Sequence, residues 1–497
     1  MKRILSLFLV LALVVSTLPA LAEPAPSGAA EAAGLPAVGD VVEGFEVKEL
    51  RPFDLVGATL VSFEHQKTGA KLLYIANEDT NRAFQLTFPT RPIDNTGLPH
   101  VFEHSTLSGS EKYPSTALFF NLIFQSYTTF VNAYTADIAT SFPVGSLSEA
   151  QLLAMADLYT DSCLHPMIMT DESIYRTEAW RYEMADMDSP LTLNGTVYSE
   201  MTGAITLQRS AQDNAKAATF PGSVAAFNSG GIPRYIPDMT WDALKEFHNR
   251  FYHPSNCLAF LYGSFEDYTA FLKLLDEAFA PYEKQDLTFN DSGYTRITEP
   301  VVTSVPYAVA EGTDTANQSS VYYYILCPGL RENKEEERLV DHADILLTAA
   351  SSPLMQNLKK AFPSGNFTCS RETSGPDDAV LFMANNVNRD DAEAFRTVVN
   401  DSLKQIVQDG FDPVQVDASA TMQQLIGKLI MEGGSPIQGV VAELSNRYAL
   451  TGNPFEYCEQ LEAQTHIQEE NEKGLLTAAI GKWLADPALY TLTTTYP

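Results

Sequence analysis

Two short apolar strands frame this chain. Residues 257–264 read C-L-A-F-L-Y-G-S and residues 489–494 read L-Y-T-L-T-T. Each comes late in a run of mixed strand and helix signals, and they lie about 230 residues apart, the spacing a large duplication leaves. A chain of 497 residues is too long for one ordinary core, so two units of roughly 200 to 250 residues are expected. The fold class that follows is α+β: two tandem duplicated α/β-roll domains, each a mostly antiparallel sheet packed against helices.

The local patterns agree with that frame. In the first region strands are expected at 58–64, 71–76 and 82–88, with a hairpin built from 129–134 and 138–144. Helical spacing marks 99–107, 115–125, 148–163, 172–184, 196–211, 241–251 and 265–279. The second region has strand signals at 301–308 and 319–327, and helical signals at 335–349, 391–407, 413–431 and 468–484. Gly433-Gly434-Ser435-Pro436 reads as a turn. The expected boundaries are a signal peptide over 1–22, a flexible leader over 23–44, a first domain over 45–282, a linker over 283–300 and a second domain over 301–497.

The first 22 residues carry an address. Lys2 and Arg3 precede an apolar run over 4–15, and Leu18-Pro19-Ala20-Leu21-Ala22 precedes Glu23. A charged start, a short apolar stretch and an A-x-A site read as a secretory signal peptide. A spanning helix needs about 20 apolar residues, and this run is shorter. A secreted or extracytoplasmic protein is expected, with no membrane span after signal cleavage. The net charge of −31 argues against nucleic-acid partners, which require positive charge against phosphate. The five cysteines are scattered, odd in number and without a C-x-x-C pair, which argues against a disulfide framework or a Cys-rich zinc site.

The chemistry concentrates in Gly97-Leu98-Pro99-His100-Val101-Phe102-Glu103-His104. Pro99 suits the first turn of a helix, where its missing N–H costs nothing. His100 and His104 are then i and i+4 and project only about 40° apart. Two neutral imidazoles on one face suit a divalent zinc ion. Glu103 lies beside that face, where its carboxylate can take a proton from water activated by the metal. This is the H-x-x-E-H arrangement. With eight histidines in the chain, a chance match is expected only about 0.01 times. A catalytic zinc needs a third protein ligand, and spacing alone leaves Glu178, Glu183 and Glu200 open.

The stretch G-L-P-H-V-F-E-H-S-T-L-S-G-S-E-K-Y-P resembles the metal-binding helix of pitrilysin- and insulysin-type zinc peptidases, in particular their presequence-protease branch. Supporting stretches are F-V-N-A-Y-T at 130–135, E-A-W-R-Y-E at 178–183, Y-S-E-M-T-G at 198–203 and F-Y-H-P-S-N at 251–256. The similarity runs in order through about 45–285. The resemblance implies that Glu200 is the third ligand of one Zn2+ per chain and Glu103 the general base, so 45–282 would be the catalytic domain and 301–497 a non-catalytic domain of the same fold. It also implies that 130–133 is an edge strand that adds an unstructured peptide substrate to the sheet, with Asn132 and Ala133 on its backbone. Leu107, Phe119, Phe120 and Ile123 would then line an apolar side-chain pocket. The family joins two such halves, and this chain resembles the first. The expected partners are peptide substrates and a second peptidase half or a second copy of this chain. The expected activity is zinc metalloendopeptidase. The alternative is a partner-dependent half that binds peptides by edge-strand addition without cleaving them.

Overall fold

Near-continuous apolar runs such as L-L-Y-I-A and L-A-F-L-Y-G call for strands covered on both faces, and the computed structural model has such a sheet. It describes residues 34–497 except 55–56, 118–122, 124–125, 288–292, 308, 310 and 433–436. The signal peptide, the first half of the leader, Phe119, Phe120, most of the 115–125 helix and the 433–436 turn therefore lie outside the described residues. The first region supplies β1 (Val41–Val42), β2 (Phe45–Phe53), β3 (Ala58–His65), β4 (Lys71–Ala76) and β5 (Arg82–Pro89). It continues with helix α1 (Leu98–Thr106), strands β6 (Thr128–Val131), β7 (Tyr134–Thr135) and β8 (Ala139–Ser146), and helices α2 (Glu149–Leu164) and α3 (Glu172–Glu178). A small hairpin of β9 (Arg181–Glu183) and β10 (Thr192–Asn194) precedes helices α4 (Thr196–Ala204), α5 (Leu207–Thr219) and α6 (Trp241–Phe251), strand β11 (Leu258–Gly263) and helix α7 (Thr269–Phe279).

The strand order is β1-β2-β3-β4-β11-β5-β8-β6, with β7 also on β8. Only the β11–β4 pairing is parallel. Successive side chains point to opposite faces, and the core divides accordingly. Leu72, Tyr74, Phe84, Leu86, Phe88 and Leu261 face one side, against Phe102 of α1, Tyr159 of α2, Phe247 of α6 and Leu275 of α7. Leu73, Ile75, Ala83, Phe260 and Tyr262 face the other, against Val441, Leu444, Tyr448 and Leu461 from far downstream.

The second region builds a smaller version. Strands β12 (Val301–Pro306) and β13 (Ser319–Cys327) lead to helices α8 (Lys334–Thr348) and α9 (Pro353–Ala361) and strands β14 (Asn366–Glu372) and β15 (Asp378–Val387). Helices α10 (Ala392–Asp409), α11 (Pro413–Glu432), α12 (Ala442–Thr451), α13 (Glu456–Ala463), α14 (Ile467–Glu472) and α15 (Leu475–Trp483) precede the last strand, β16 (Tyr490–Tyr496). The sheet order is β12-β16-β13-β15-β14, with β16 parallel to β12 and antiparallel to β13. The first sheet holds the same path, β4-β11-β5-β8-β6, with its late strand β11 likewise parallel to β4 and antiparallel to β5. The molecule is thus α+β, with two sheets of matching topology packed against helices.

Three helix expectations are corrected. The helix expected over 172–184 ends at Glu178, because Ala179 leaves helical geometry (ψ −82°) and residues 181–183 pair with β10. The one expected over 196–211 is two helices, broken at Ile205 and restarted by Thr206, whose side chain caps the N–H of Arg209. The one expected over 468–484 is split by Gly474, whose positive φ stops the first helix. The five cysteines are buried and unpaired. Among the described residues no helix is long and apolar enough to cross a membrane.

Candidate metal centre

Helix α1 begins at Gly97, which adopts φ +80°, a left-handed value open to glycine, and Pro99 follows in the first turn. Val101, Phe102 and Ser105 sink into the core, and Ser105 closes back on the carbonyl of Val101 at 2.7 Å. That burial turns His100 and His104 together to the other side. Their rings sit 4.8 Å apart, centroid to centroid, nearly perpendicular.

Helix α4 brings the third group. Its Val197 and Met201 are buried at i and i+4, which leaves Glu200 turned toward α1. Nε2 of His100 lies 3.6 Å from one Glu200 oxygen, and Nε2 of His104 lies 3.4 Å from the other. One ligand atom from each of the three residues falls within a 4.8 Å span. Tetrahedral zinc with bonds of about 2.0 to 2.1 Å separates its ligand atoms by about 3.3 Å, so the two imidazoles and the carboxylate fit that ion. Of the other two carboxylates that spacing left open, Glu183 sits on β9 and accepts from Arg181 and Asn194 at 2.7 Å each. Glu178, at the end of α3, faces Nδ1 of His104 at 3.5 Å.

The far nitrogens of both imidazoles are therefore occupied. Nδ1 of His100 faces the carbonyl of Gly230 at 3.1 Å, and Nδ1 of His104 faces Glu178. Such outer partners fix the ring orientation and leave Nε2 as the free ligand atom. The Gly230 loop is itself pinned, since Asn95 accepts from the N–H of Asn228 at 2.9 Å through its side chain and from that of Ile232 at 2.9 Å through its carbonyl. Burial would hold the His104 imidazole neutral, but the adjoining Glu178, with Glu103 and Glu200, outweighs it and raises its affinity for a proton.

Glu103 is 7% exposed. Burial pushes its carboxyl above the usual range, against the pull of His100, His104 and a hydrogen bond from Thr135. Thr135 Oγ1 donates to Glu103 Oε2 at 2.8 Å. A buried carboxylate whose proton affinity is raised, beside two imidazoles, suits a group that takes up and releases a proton.

These groups line one open cavity of about 950 Å³. His100, Glu103, His104, Glu200, Leu107, Asn132 and Ala133 all border it. Ile123 is exposed and does not. Asn132 and Ala133 follow directly on β6, the outermost strand of its sheet, and the carbonyl of Asn132 accepts from Tyr159 Oη at 3.1 Å. Thr135 and the Gly230 carbonyl are absent from the sequence-based site. A hydroxyl that meets Glu103 only through the fold and a backbone carbonyl leave no trace in a sequence.

Comparison with known proteins gives a consistent picture. Residues 238–422 match the family described as Peptidase M16 inactive domain, a span that lies downstream of α1 and α4. Over 430 residues the chain is 31% identical to Protein HypA of Clostridium perfringens, covering 84% of this chain and 43% of that protein. It is 30% identical over 393 residues to the mitochondrial presequence protease of Xenopus laevis, covering 76% of this chain and 38% of that one. The chain thus spans less than half the length of these curated relatives. The crystal structure of the periplasmic protease PqqL from Escherichia coli shares the fold, with a TM-score of 0.66 at 11% identity over 98% of this chain and 50% of that one.

Proposed function

We propose, from the premise that this chain is an M16-family, presequence-protease-like protein resembling one half of its longer relatives, that it is a zinc-dependent endopeptidase for unstructured peptides. The observation that carries this reading is the convergence of His100, His104 and Glu200 within 4.8 Å, beside a buried Glu103. His100 and His104 through Nε2, and Glu200 through its carboxylate, would hold the ion. When bound, zinc supplies Lewis acidity, polarising a carbonyl and acidifying water at this point. Glu103 accepts the proton of the attacking water and returns it to the departing amine. The edge strand β6 and residues 132–133 offer backbone groups to an extended peptide. A main-chain ladder reads many sequences alike, which suits a broad peptide substrate class.

The test is zinc stoichiometry together with hydrolysis of an unstructured fluorogenic peptide. Wild type is expected to hold one zinc and cleave. Glu103→Gln keeps the zinc and loses cleavage by at least about 10²-fold; Glu200→Ala loses the zinc. A wild-type protein that neither binds zinc nor cleaves overturns the reading.

A second reading is favoured by the coverage, 43% and 38% of the curated relatives. On it, full turnover needs a second half, supplied by another chain or a second copy, and this half alone binds peptides without cleaving them. Peptide binding with no cleavage, restored on adding such a partner, would select it. Export is proposed on the N-terminal pattern alone, and a mature N-terminus at Glu23 would support it.

A further inference from the structure

We propose that Thr135 is a positioning residue that ties the orientation of the base Glu103 to the strand that receives the substrate. The inference rests on the peptidase reading above. Its ground is the 2.8 Å bond from Thr135 Oγ1 to Glu103 Oε2. A glutamate carboxylate rotates in a broad, nearly two-fold well about its last torsion, so a buried base with no partner samples many aims. Thr135 fastens one oxygen and leaves Oε1 to take the proton. Threonine suits the task, because its branched side chain is stiff at χ1 and its hydroxyl can only donate to an ionised carboxylate.

The backbone beneath Thr135 is fastened too. Tyr134 and Thr135 pair with Ser141 and Thr140 of β8, and the N–H of Ala136 donates to the carbonyl of Ala139 at 2.8 Å. Two residues beyond Thr135, Asp137 accepts from Lys216 Nζ at 3.0 Å, and the same amine lies 3.1 Å from Glu372 of β14 in the second unit. Two residues before it, Ala133 borders the cavity where a peptide would dock. One short segment thus carries the docking backbone, the clasp on the base and an anchor to the other half of the fold. A group held by a rigid support retains its productive geometry without further ordering when substrate arrives.

The test compares Thr135→Val, Thr135→Ala and Thr135→Ser in the full chain, reading zinc content, thermal unfolding, kcat and KM on the fluorogenic peptide. Val and Ala differ in shape but both lack the hydroxyl; both are expected to keep wild-type zinc and lose about 10- to 100-fold in kcat, with KM within about 3-fold. Ser keeps the hydroxyl and is expected within about 3-fold of wild type in kcat. Wild-type kcat in Val or Ala, a Ser variant as impaired as Val, a loss confined to KM, or loss of zinc or fold in both Val and Ala each overturns the role. Wild-type protein that neither binds zinc nor cleaves, alone or with a second half added, overturns the peptidase reading itself, before any variant is compared.

Discussion

Two buried clusters of charge in this molecule have opposite arrangements. At the candidate metal centre Glu103 lies beside two imidazoles and accepts from Thr135. In the second unit, α8 carries Glu337, Asp341, His342 and Asp344. Arg371 reaches Glu337 at 2.5 Å and Asp341 at 2.6 Å, and His342 meets Glu470 at 2.5 Å. Asp344 is less well matched, since its Oδ1 has no hydrogen-bond partner among the described residues. Burial pushes its pKa up to about 6, with the charge of Asp341 adding to it and Cys369 and Arg371 opposing it. A carboxyl with a raised folded-state pKa binds a proton that the unfolded chain releases. Stability is therefore lost as pH rises from the ordinary value near 4 through about 6. Asp344→Asn removes that cost. At pH 7 it should stabilise the protein by on the order of 2 kcal/mol, a gain that vanishes near pH 4. Thermal unfolding at the two pH values checks this; an equal shift at both would mean the effect is packing, not ionisation. Residue chemistry was readable from sequence where partners are near neighbours, as with His100, Glu103 and His104 on two turns of one helix. Glu200 lies about a hundred residues downstream of the motif, and nothing local selects it over Glu178 or Glu183; the family resemblance did that. Thr135 shows itself only once β7 is folded against α1.

The elements around the site owe their positions to close backbone approach. A Cβ on Gly97 would sit 2.8 Å from both the carbonyl oxygen of Gly230 and the Cα of Gly231, and its φ of +80° disfavours any other residue. The same Gly230 carbonyl orients His100. Gly97→Ala should push α1 from that loop, costing about 1–2 kcal/mol in backbone conformation alone. It should also weaken zinc binding by about 10- to 100-fold, through the freed imidazole. A zinc titration checks it, and unchanged affinity in a folded variant would mean the loop does not hold His100. Strong periodicity made α1, α2, α6, β11 and β13 legible in sequence. The breaks at Ala179 and Ile205 were hidden, because apolar spacing continues across them while the chain turns away. The strands β14 and β15 are absent from the sequence reading although the sequence marks them: Pro363 and Gly365 precede β14, Gly375 and Pro376 separate the two, N-F-T-C-S alternates and A-V-L-F-M is a buried-strand run.

The two sheets share one strand path, so the helix that follows β5 and the one that follows β13 are counterparts, α1 and α8. In α1 the acidic and imidazole groups border an open cavity. In α8 they pair with Arg371 and Glu470 instead, and what the second unit visibly offers the first is support. The support is physical. The α5 segment and the residues just after it pack Ala211, Ala215 and Phe220 against Tyr322, Tyr324 and Leu381 of the second sheet. Within that contact Lys216 is the ionic link. Burial opposes its charge, but Glu372 and Asp137 outweigh it and raise its proton affinity. Its side chain is 13% exposed, against 17% for Glu372 and 56% for Asp137. Lys216→Met keeps the length of the stem and removes the cation. Glu372, still buried, is then left facing a second carboxylate, at an expected cost of about 1–3 kcal/mol, below the full value for a buried pair because Asp137 reaches water. A raised folded pKa means this contribution is fully present below the ordinary lysine value of 10.5 and is lost only as pH rises through the higher folded value. The destabilisation should therefore be constant from pH 6 to 9. If the hairpin that carries Thr135 is steadied from across the molecule, the variant should also lose several-fold in kcat while retaining its zinc. Thermal unfolding with single-turnover cleavage separates the two effects. A variant less stable but fully active would show that the second unit stabilises the fold without steadying the base.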